Sequence, residues 1–212
     1  MKQVSILGLG YVGLPSAAVF ADAGMKVVGV DINPKTVEII NSGRAHIVEP
    51  GLDELLNKVV GNGSLRATTS VEPSDVFVIA VPTPFKEGNA PDLQYVRSAA
   101  KMIAPLIEKG NLIILESTSP VGATEQLASW IQKARPDLSV PILDGEEGDI
   151  YLAYCPERIL PGKVIREVVE NDRVIGGVTA ESGKRAVAFY QMAIEGTCHL
   201  TNARNAELCK LS

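Results

Sequence analysis

Three cysteines and two histidines in 212 residues leave little material for metal or disulfide chemistry. Cys155, Cys198 and Cys209 have no metal-type spacing, and an odd count does not describe a disulfide framework. Around His46 and His199 there is no acidic or hydroxyl pattern, so both read as structural and no metal site is expected. No apolar stretch reaches the ~18 residues of a membrane-spanning helix. Net charge is modest, formally −5, and gives no reason to expect nucleic acid or an anionic membrane as partner. Met1-Lys2-Gln3-Val4 runs straight into a strand pattern, which leaves no room for a signal peptide, so a cytoplasmic protein is expected. Repeats and low-complexity linkers are absent. What remains, 46% hydrophobic and 21% charged, describes an ordinary globular chain with one large core, or one core and a small appendage.

Strand and helix patterns alternate almost throughout. Strands are expected at Gln3–Leu7, Lys26–Val30, Leu65–Thr68, Val76–Val81, Leu112–Glu116, Ile150–Tyr154, Arg173–Gly177 and Thr197–Leu200. Helices are expected at Tyr11–Ala23, Pro34–Ser42, Asp53–Val60, Leu93–Glu108, Thr124–Ala134 and Ala180–Met192. Val- and Ile-rich strands alternating with helices predict an α/β protein, a doubly wound and mainly parallel sheet with helices on both faces. Arg135–Asp149 is the longest irregular stretch and is not read as a domain boundary. From Asn202 to Ser212 a helix begins, with Thr201 or Asn202 as cap.

The densest signal lies in the first thirty-one residues. A short apolar strand enters Gly8-Leu9-Gly10-Tyr11-Val12-Gly13, a helix follows, and a second strand ends in Asp31. Gly8 permits the tight strand-to-helix turn, Gly10 lets backbone approach a pyrophosphate, and Gly13 lets the helix sit close on the sheet. The helix N-terminus offers unpaired N–H groups to phosphates. Asp31, 18 residues past Gly13, is placed to accept hydrogen bonds from ribose hydroxyls, and its charge favours NAD over NADP despite Lys35 nearby. A Rossmann-type NAD site is expected.

In doubly wound sheets ligands gather at the carboxyl ends of the strands. There this chain places Pro82-Thr83-Pro84, then Glu116-Ser117-Thr118-Ser119, then Pro156-Glu157-Arg158. Each has a plain reading: a rigid turn, a helix cap with spare hydroxyls, a surface ion pair. Each also has a functional one. Thr83 and Thr118 would line the nicotinamide end, Glu157 would act as base or water orienter, and Arg158 would suit an anionic or hydroxyl-rich substrate. Cys155 reads as a small buried hydrophobe. Lys210, taken alone, reads as a solvated helix lysine.

With those segments in view, the chain resembles the UDP-glucose/UDP-N-acetylmannosamine dehydrogenase family over its whole length. The likeness rests on Gly8-Leu9-Gly10-Tyr11-Val12-Gly13-Leu14-Pro15, Glu49-Pro50-Gly51-Leu52, Val81-Pro82-Thr83-Pro84, Glu116-Ser117-Thr118, Pro156-Glu157-Arg158 and Ala206-Glu207-Leu208-Cys209-Lys210. The stretches Tyr154–Gly162 and Asn171–Gly177 are most like the UDP-N-acetyl-D-mannosamine branch. The resemblance implies oxidation of a UDP-sugar 6-hydroxyl to a carboxylate with two NAD⁺. It implies NAD contacts from Gly8, Gly10, Tyr11, Val12, Gly13, Asp31, Thr83 and Thr118. Catalytic roles are implied for Glu157, Lys210 and Thr118, with Arg158 and Ile159 touching the nucleotide sugar.

The family's nucleophilic cysteine, in a Gly-Gly-x-Cys setting, has no counterpart among the three cysteines here. The expectation is therefore an NAD-binding domain over residues 1–200, followed at 201–212 by the start of a central dimerisation helix. The UDP-sugar-binding domain would lie outside the chain, which would bind NAD without net turnover, while the full-length protein would be a homodimer. Two rivals stay open: a non-catalytic NAD-sensing domain, and a dehydrogenase of the 3-hydroxy-acid or 6-phosphogluconate type.

Overall fold

The computed structural model describes residues 3–85, 88, 91–142 and 148–211. Part of the irregular Arg135–Asp149 stretch, including Glu146-Glu147, lies outside them. Eight strands form one sheet: β1 Gln3–Leu7, β2 Lys26–Val30, β3 Leu65–Thr68, β4 Val76–Ile79, β5 Leu112–Leu115, β6 Tyr151–Tyr154, β7 Arg173–Gly177 and β8 Cys198–Asn202. The order across the sheet is β3-β2-β1-β4-β5-β6-β7-β8. Neighbours from β3 to β6 are parallel, β7 runs antiparallel to β6, and β8 is again parallel to β7. All eight strands fall where the sequence pattern places them, to within two residues at either end.

The helices are α1 Gly13–Asp22, α2 Pro34–Asn41, α3 Leu52–Gly61, α4 Gln94–Ile103, α5 Ala123–Ala134, α6 Val164–Glu170, α7 Ala180–Tyr190 and α8 Ala203–Leu211. The expected helix over Leu93–Glu108 ends as a single 3₁₀ turn at Ala104–Leu106, where Pro105 cannot continue the α ladder. The seven-residue α6 has no counterpart in the sequence reading, since it is too short to display a helical period. Asn202 does cap α8, its Oδ1 accepting from the Asn205 amide at 2.9 Å.

Central strands alternate side chains between two buried faces, as a covered parallel sheet requires. On one face Val4, Ile6, Val76, Val78 and Ile114 join α1, α3 and α7 in one core cluster. The other face gathers Leu7, Phe77, Ile79, Ile113 and Leu115 with α4, α5 and the Ala203 and Ala206 side of α8. Phe20 of α1 packs edge-on against Phe189 and Tyr190 of α7, with centroids 5.1 and 5.9 Å away. α7 itself lies against β5, β6 and β7, and its Tyr190 hydroxyl reaches Glu116 just after β5. The chain leaves β1 toward β2 and later returns on the far side at β4, so the sheet order reverses between β1 and β4, where a doubly wound fold opens its crevice.

Candidate active site

A cleft of about 340 Å³ lies at that reversal. It is lined by the glycine-rich turn (Gly8, Gly10, Tyr11, Val12), Asp31 after β2, Pro82 and Thr83 after β4, Glu116–Thr118 after β5, Glu157 after β6, and Lys210 of α8. Asp31 and Glu157 follow strands four steps apart, roughly 19 Å of sheet edge at the usual strand spacing. The cleft is thus an elongated trough with a carboxylate at one end and a carboxylate–lysine pair at the other.

The glycines do what their positions predict. Gly8 adopts φ +92°, and a Cβ there would meet the Ala80 carbonyl oxygen at 2.7 Å. At Gly13 a Cβ would fall 1.9 Å from the Gly8 carbonyl oxygen, so the start of α1 can press onto the turn only as glycine. Around Gly10 nothing lies within 4 Å of a would-be Cβ. Its missing side chain serves no protein contact, and the open space above it is where a diphosphate can approach backbone at a helix N-terminus. The residues present therefore fit a dinucleotide.

Asp31 is oriented by the protein itself. Its Oδ2 accepts from the Leu9 amide at 3.2 Å and its Oδ1 from the Asn33 amide at 2.9 Å. Beyond it lies an apolar pocket of about 420 Å³, framed by Ile32, Pro82 and four residues of α4, Tyr95, Ser98, Ala99 and Met102. A flat purine fits such a slot beside a ribose-binding carboxylate. The α4 contribution went unread in the sequence, because nothing in its helical pattern separates a pocket wall from an ordinary exposed flank.

The loops after β4 and β5 are stitched together. The Thr83 hydroxyl donates to the Thr118 carbonyl at 2.5 Å, and the Ser117 hydroxyl to the Val81 carbonyl at 2.6 Å. Tyr11 is anchored as well, its hydroxyl donating to Glu49 Oε2 at 2.9 Å. That carboxylate also accepts from the Gly162 and Val164 amides at 3.0 and 2.8 Å, which closes the N-terminus of α6. The two backbone donors and Tyr11 hold Glu49 below the usual carboxylate range, against the upward push of burial. Glu49 thereby ties the glycine-rich turn to the loop carrying Glu157.

At the far end of the trough the picture departs from a bare base and lysine. Glu157 is buried and paired with Arg173 of β7 through Oε2, while its Oε1 accepts from the Arg158 amide at 3.0 Å. Arg173 also donates to the Val168 carbonyl at 3.0 Å and stands 5.0 Å from the centroid of the Tyr190 ring. Burial works against its charge, but Glu157 and the surrounding polar groups hold the guanidinium firmly protonated. Cys155 is buried in the apolar core as expected, and its sulfur also borders this polar cluster. Its Sγ lies 3.9 Å from Arg173 Nη1, and burial pushes the thiol up to about 12. Such a thiol is no nucleophile.

Lys210 is not a solvated helix lysine. Its ammonium donates to the Glu157 carbonyl, and burial lowers it from the usual lysine value. Arg158 reaches the Cys209 carbonyl at 2.8 Å, pinning its loop to α8. Ile159 turns away from the trough and packs with Val19, Val164 and Val168 beneath α6. Two residues quoted in motifs but given no role prove central to the architecture. Glu207, fully buried, caps α5 from α8, and Glu116 forms part of the trough floor with its Oε1 accepting from the Tyr190 hydroxyl at 2.5 Å. Glu116 directly follows an apolar strand, which was the available signal, whereas the mixed sequence of α8 offered none for Glu207. Among the described residues no cluster of His, Cys, Asp and Glu is arranged to hold a metal ion, and no helix is long and apolar enough to cross a membrane.

Fold and trough together define the dinucleotide-binding domain of a dehydrogenase. Residues 2–194 match the model of the UDP-glucose/GDP-mannose dehydrogenase family, NAD binding domain. Over 211 residues the chain is 56% identical to the UDP-N-acetyl-D-mannosamine dehydrogenase of Yersinia pestis, covering all of this chain and 50% of that protein. It is 55% identical over 211 residues to the NDP-N-acetyl-D-galactosaminuronic acid dehydrogenase of Ralstonia nicotianae, again over 50% of its length. Among solved structures, the UDP-N-acetyl-mannosamine dehydrogenase of Staphylococcus aureus superposes with a TM-score of 0.91 at 39% identity, over 99% of this chain and 50% of that one. The chain belongs to the UDP-glucose/GDP-mannose dehydrogenase family as its NAD-binding domain, and spans about half the length of the curated relatives it matches.

Proposed function

We propose that this chain is the cofactor-binding half of a cytoplasmic UDP-N-acetyl-D-mannosamine 6-dehydrogenase. The enzyme oxidises the sugar 6-hydroxyl to a carboxylate at the expense of two NAD⁺. The observation that carries the reading is the gathering of Thr118, Glu157 and Lys210 at the end of the trough opposite Asp31, in a chain 56% identical to a relative of that name. NAD⁺ supplies the hydride acceptor when bound.

The protein's own residues divide the remaining work. Asp31 holds the adenosine ribose, and the amides above Gly10 take the diphosphate. Thr83 and Thr118 bound the space for the nicotinamide. Lys210, partly desolvated beside Glu157, supplies positive charge where the substrate oxygen loses its proton. Glu157, held by Arg173 and the Arg158 amide, orients that hydroxyl or a water and accepts a hydrogen bond from it. Arg158 stands at the mouth, where a nucleotide sugar enters. The expected boundary at residue 200 falls inside β8 (Cys198–Asn202), so it is α8, Ala203–Leu211, that is read as the opening of a central helix joining this half to a UDP-sugar-binding half and to a second copy of the protein.

None of the three cysteines lies in the family's Gly-Gly-x-Cys setting, so on this reading the chain by itself binds NAD⁺ without completing the oxidation. Calorimetric titration with NAD⁺ and continuous recording of NADH with UDP-N-acetylmannosamine test both statements. Binding without turnover, and turnover in the full-length protein with loss in Lys210→Ala, is the expected result. Steady NADH production by the 212-residue chain would overturn the half-enzyme reading. A full-length protein that prefers UDP-glucose would overturn the substrate.

A further inference from the structure

Glu116 is the one carboxyl of the buried cluster that the proposed mechanism leaves without a task. It is 2% exposed, sits at the end of β5 and forms part of the trough floor beside Ser117 and Thr118. Its Oε1 accepts from Tyr190 of α7, whereas its Oε2 has no partner among the described residues. The neighbouring charges are already matched. Arg173 of β7 is paired with Glu157, from the loop after β6, and its other amino group is bound to the Val168 carbonyl. Cys155, from the same loop, and Tyr190 both have their acidities suppressed by burial and stay neutral. Lys210 of α8 faces the trough and donates to the Glu157 backbone. The charges that act on Glu116 are Arg173 and Glu157, whose pair sums to zero, whereas the half-buried Lys210 is coupled to Glu157 and Arg158. The buried cluster is therefore neutral when Glu116 is protonated and carries one negative charge that no buried group matches when it is not. An unpaired buried charge is costly until a cation arrives.

We propose that Glu116 reads the charge of the nicotinamide. Its Oε2 keeps a proton while the site is empty or holds the neutral ring of NADH, and releases it to solvent when the cationic ring of NAD⁺ is bound. The proton balance is simple: the carboxylic acid becomes a carboxylate, one proton leaves through cleft water, and the new negative charge faces the ring's positive one. No electrons move in this step. The inference rests on the orientation proposed above, with the adenosine at Asp31 and the nicotinamide at Thr118. Burial pushes the Glu116 carboxyl up to about 7, against the pull of Arg173, so the exchange falls within the neutral range.

The test is proton counting. The 212-residue chain is titrated calorimetrically with NAD⁺ and separately with NADH, each in phosphate and in Tris, between pH 6 and 8.5. NAD⁺ binding is expected to release roughly half a proton near pH 7 and little above pH 8, with NADH releasing none. The affinity ratio of NAD⁺ to NADH should rise by up to about tenfold per pH unit below 7 and then level. Glu116→Gln should abolish the difference in proton release while both cofactors still bind. Tyr190→Phe, which removes the donor to Oε1, should move the midpoint to higher pH. Equal proton release with the two cofactors in the unaltered chain overturns the inference whether or not Glu116→Gln folds. Failure of both cofactors to bind overturns the orientation reading instead, and the inference with it.

Discussion

Glu207 and Thr124 stand 83 residues apart and share one carboxylate oxygen: Glu207 Oε1 accepts both the Thr124 amide at 2.8 Å and its hydroxyl at 2.6 Å. The other oxygen takes the Gly122 amide at 2.6 Å. A side chain from α8 thus performs the N-capping of α5 that the local sequence, with left-handed Gly122 at the cap position, cannot supply. Because Lys210 lies one turn beyond Glu207, the same contact positions the lysine over Glu157.

Glu207→Ala should therefore strip three donors, two of them buried, of their acceptor and cost on the order of 2–4 kcal/mol in urea unfolding. Glu207→Gln, which retains one acceptor oxygen, should recover part of that loss. Equal stability of the alanine variant and the unaltered chain would contradict the capping role.

The glycine-rich turn separates folding from binding at single residues. Gly13→Ala forces a Cβ against the Gly8 carbonyl and should lower the melting temperature sharply. Gly10→Ala meets no protein atom within 4 Å and should melt near the unaltered chain while losing NAD⁺ affinity. Paired melting curves and NAD⁺ titrations read both outcomes.

Asp31→Asn removes the charge that favours ribose hydroxyls while keeping an acceptor for Leu9 or Asn33. A charge-assisted hydrogen bond is worth about 1.5–3 kcal/mol, so NAD⁺ affinity should fall about 10- to 100-fold. An NADP⁺ affinity that rises in the same variant would show that the carboxylate also excludes the 2′-phosphate.

Breaking the Arg173–Glu157 pair from one side leaves a buried charge alone. Arg173→Met should destabilise the chain by about 3–5 kcal/mol, and the double variant Arg173→Met with Glu157→Leu should regain much of it. A double variant no more stable than the single one would mean that the pair is not an isolated unit.

Stability should also depend on pH through Glu116. Its pKa in the folded chain lies near 7, above the ordinary 4.5, so the folded state binds the proton more tightly than the unfolded one. The associated stability is complete below about pH 4.5 and is lost as pH rises to 7, by up to about 1.4 kcal/mol per pH unit. Glu116→Gln lacks this ionisation. Relative to the unaltered chain it should gain stability from pH 5 to 7 and hold that gain above. A constant difference across urea series at pH 5, 6, 7 and 8 would contradict the assignment.

The local chemistry of the chain was sufficient for the strands, the longer helices, the glycine-rich turn and Asp31, because each of these is specified by neighbours within a few residues. A strand alternates or runs apolar, a turn needs φ above zero at Gly8, and a carboxylate follows the second strand. The direction of β7 against β6, the short α6 and the wall that α4 gives the second pocket depend on packing between distant segments and leave no local period. The same holds for the buried cluster. Glu116, Cys155, Glu157, Arg173 and Tyr190 come from five positions spread over 74 residues, and their protonation depends on which charges the fold sets beside them in a dry interior. Sequence alone determined that this chain grips a dinucleotide. Tertiary structure alone decided that Glu157 is an anchored half of an ion pair, that Lys210 is drawn out of solvent, and that Glu116 is the carboxyl left without a counter-charge.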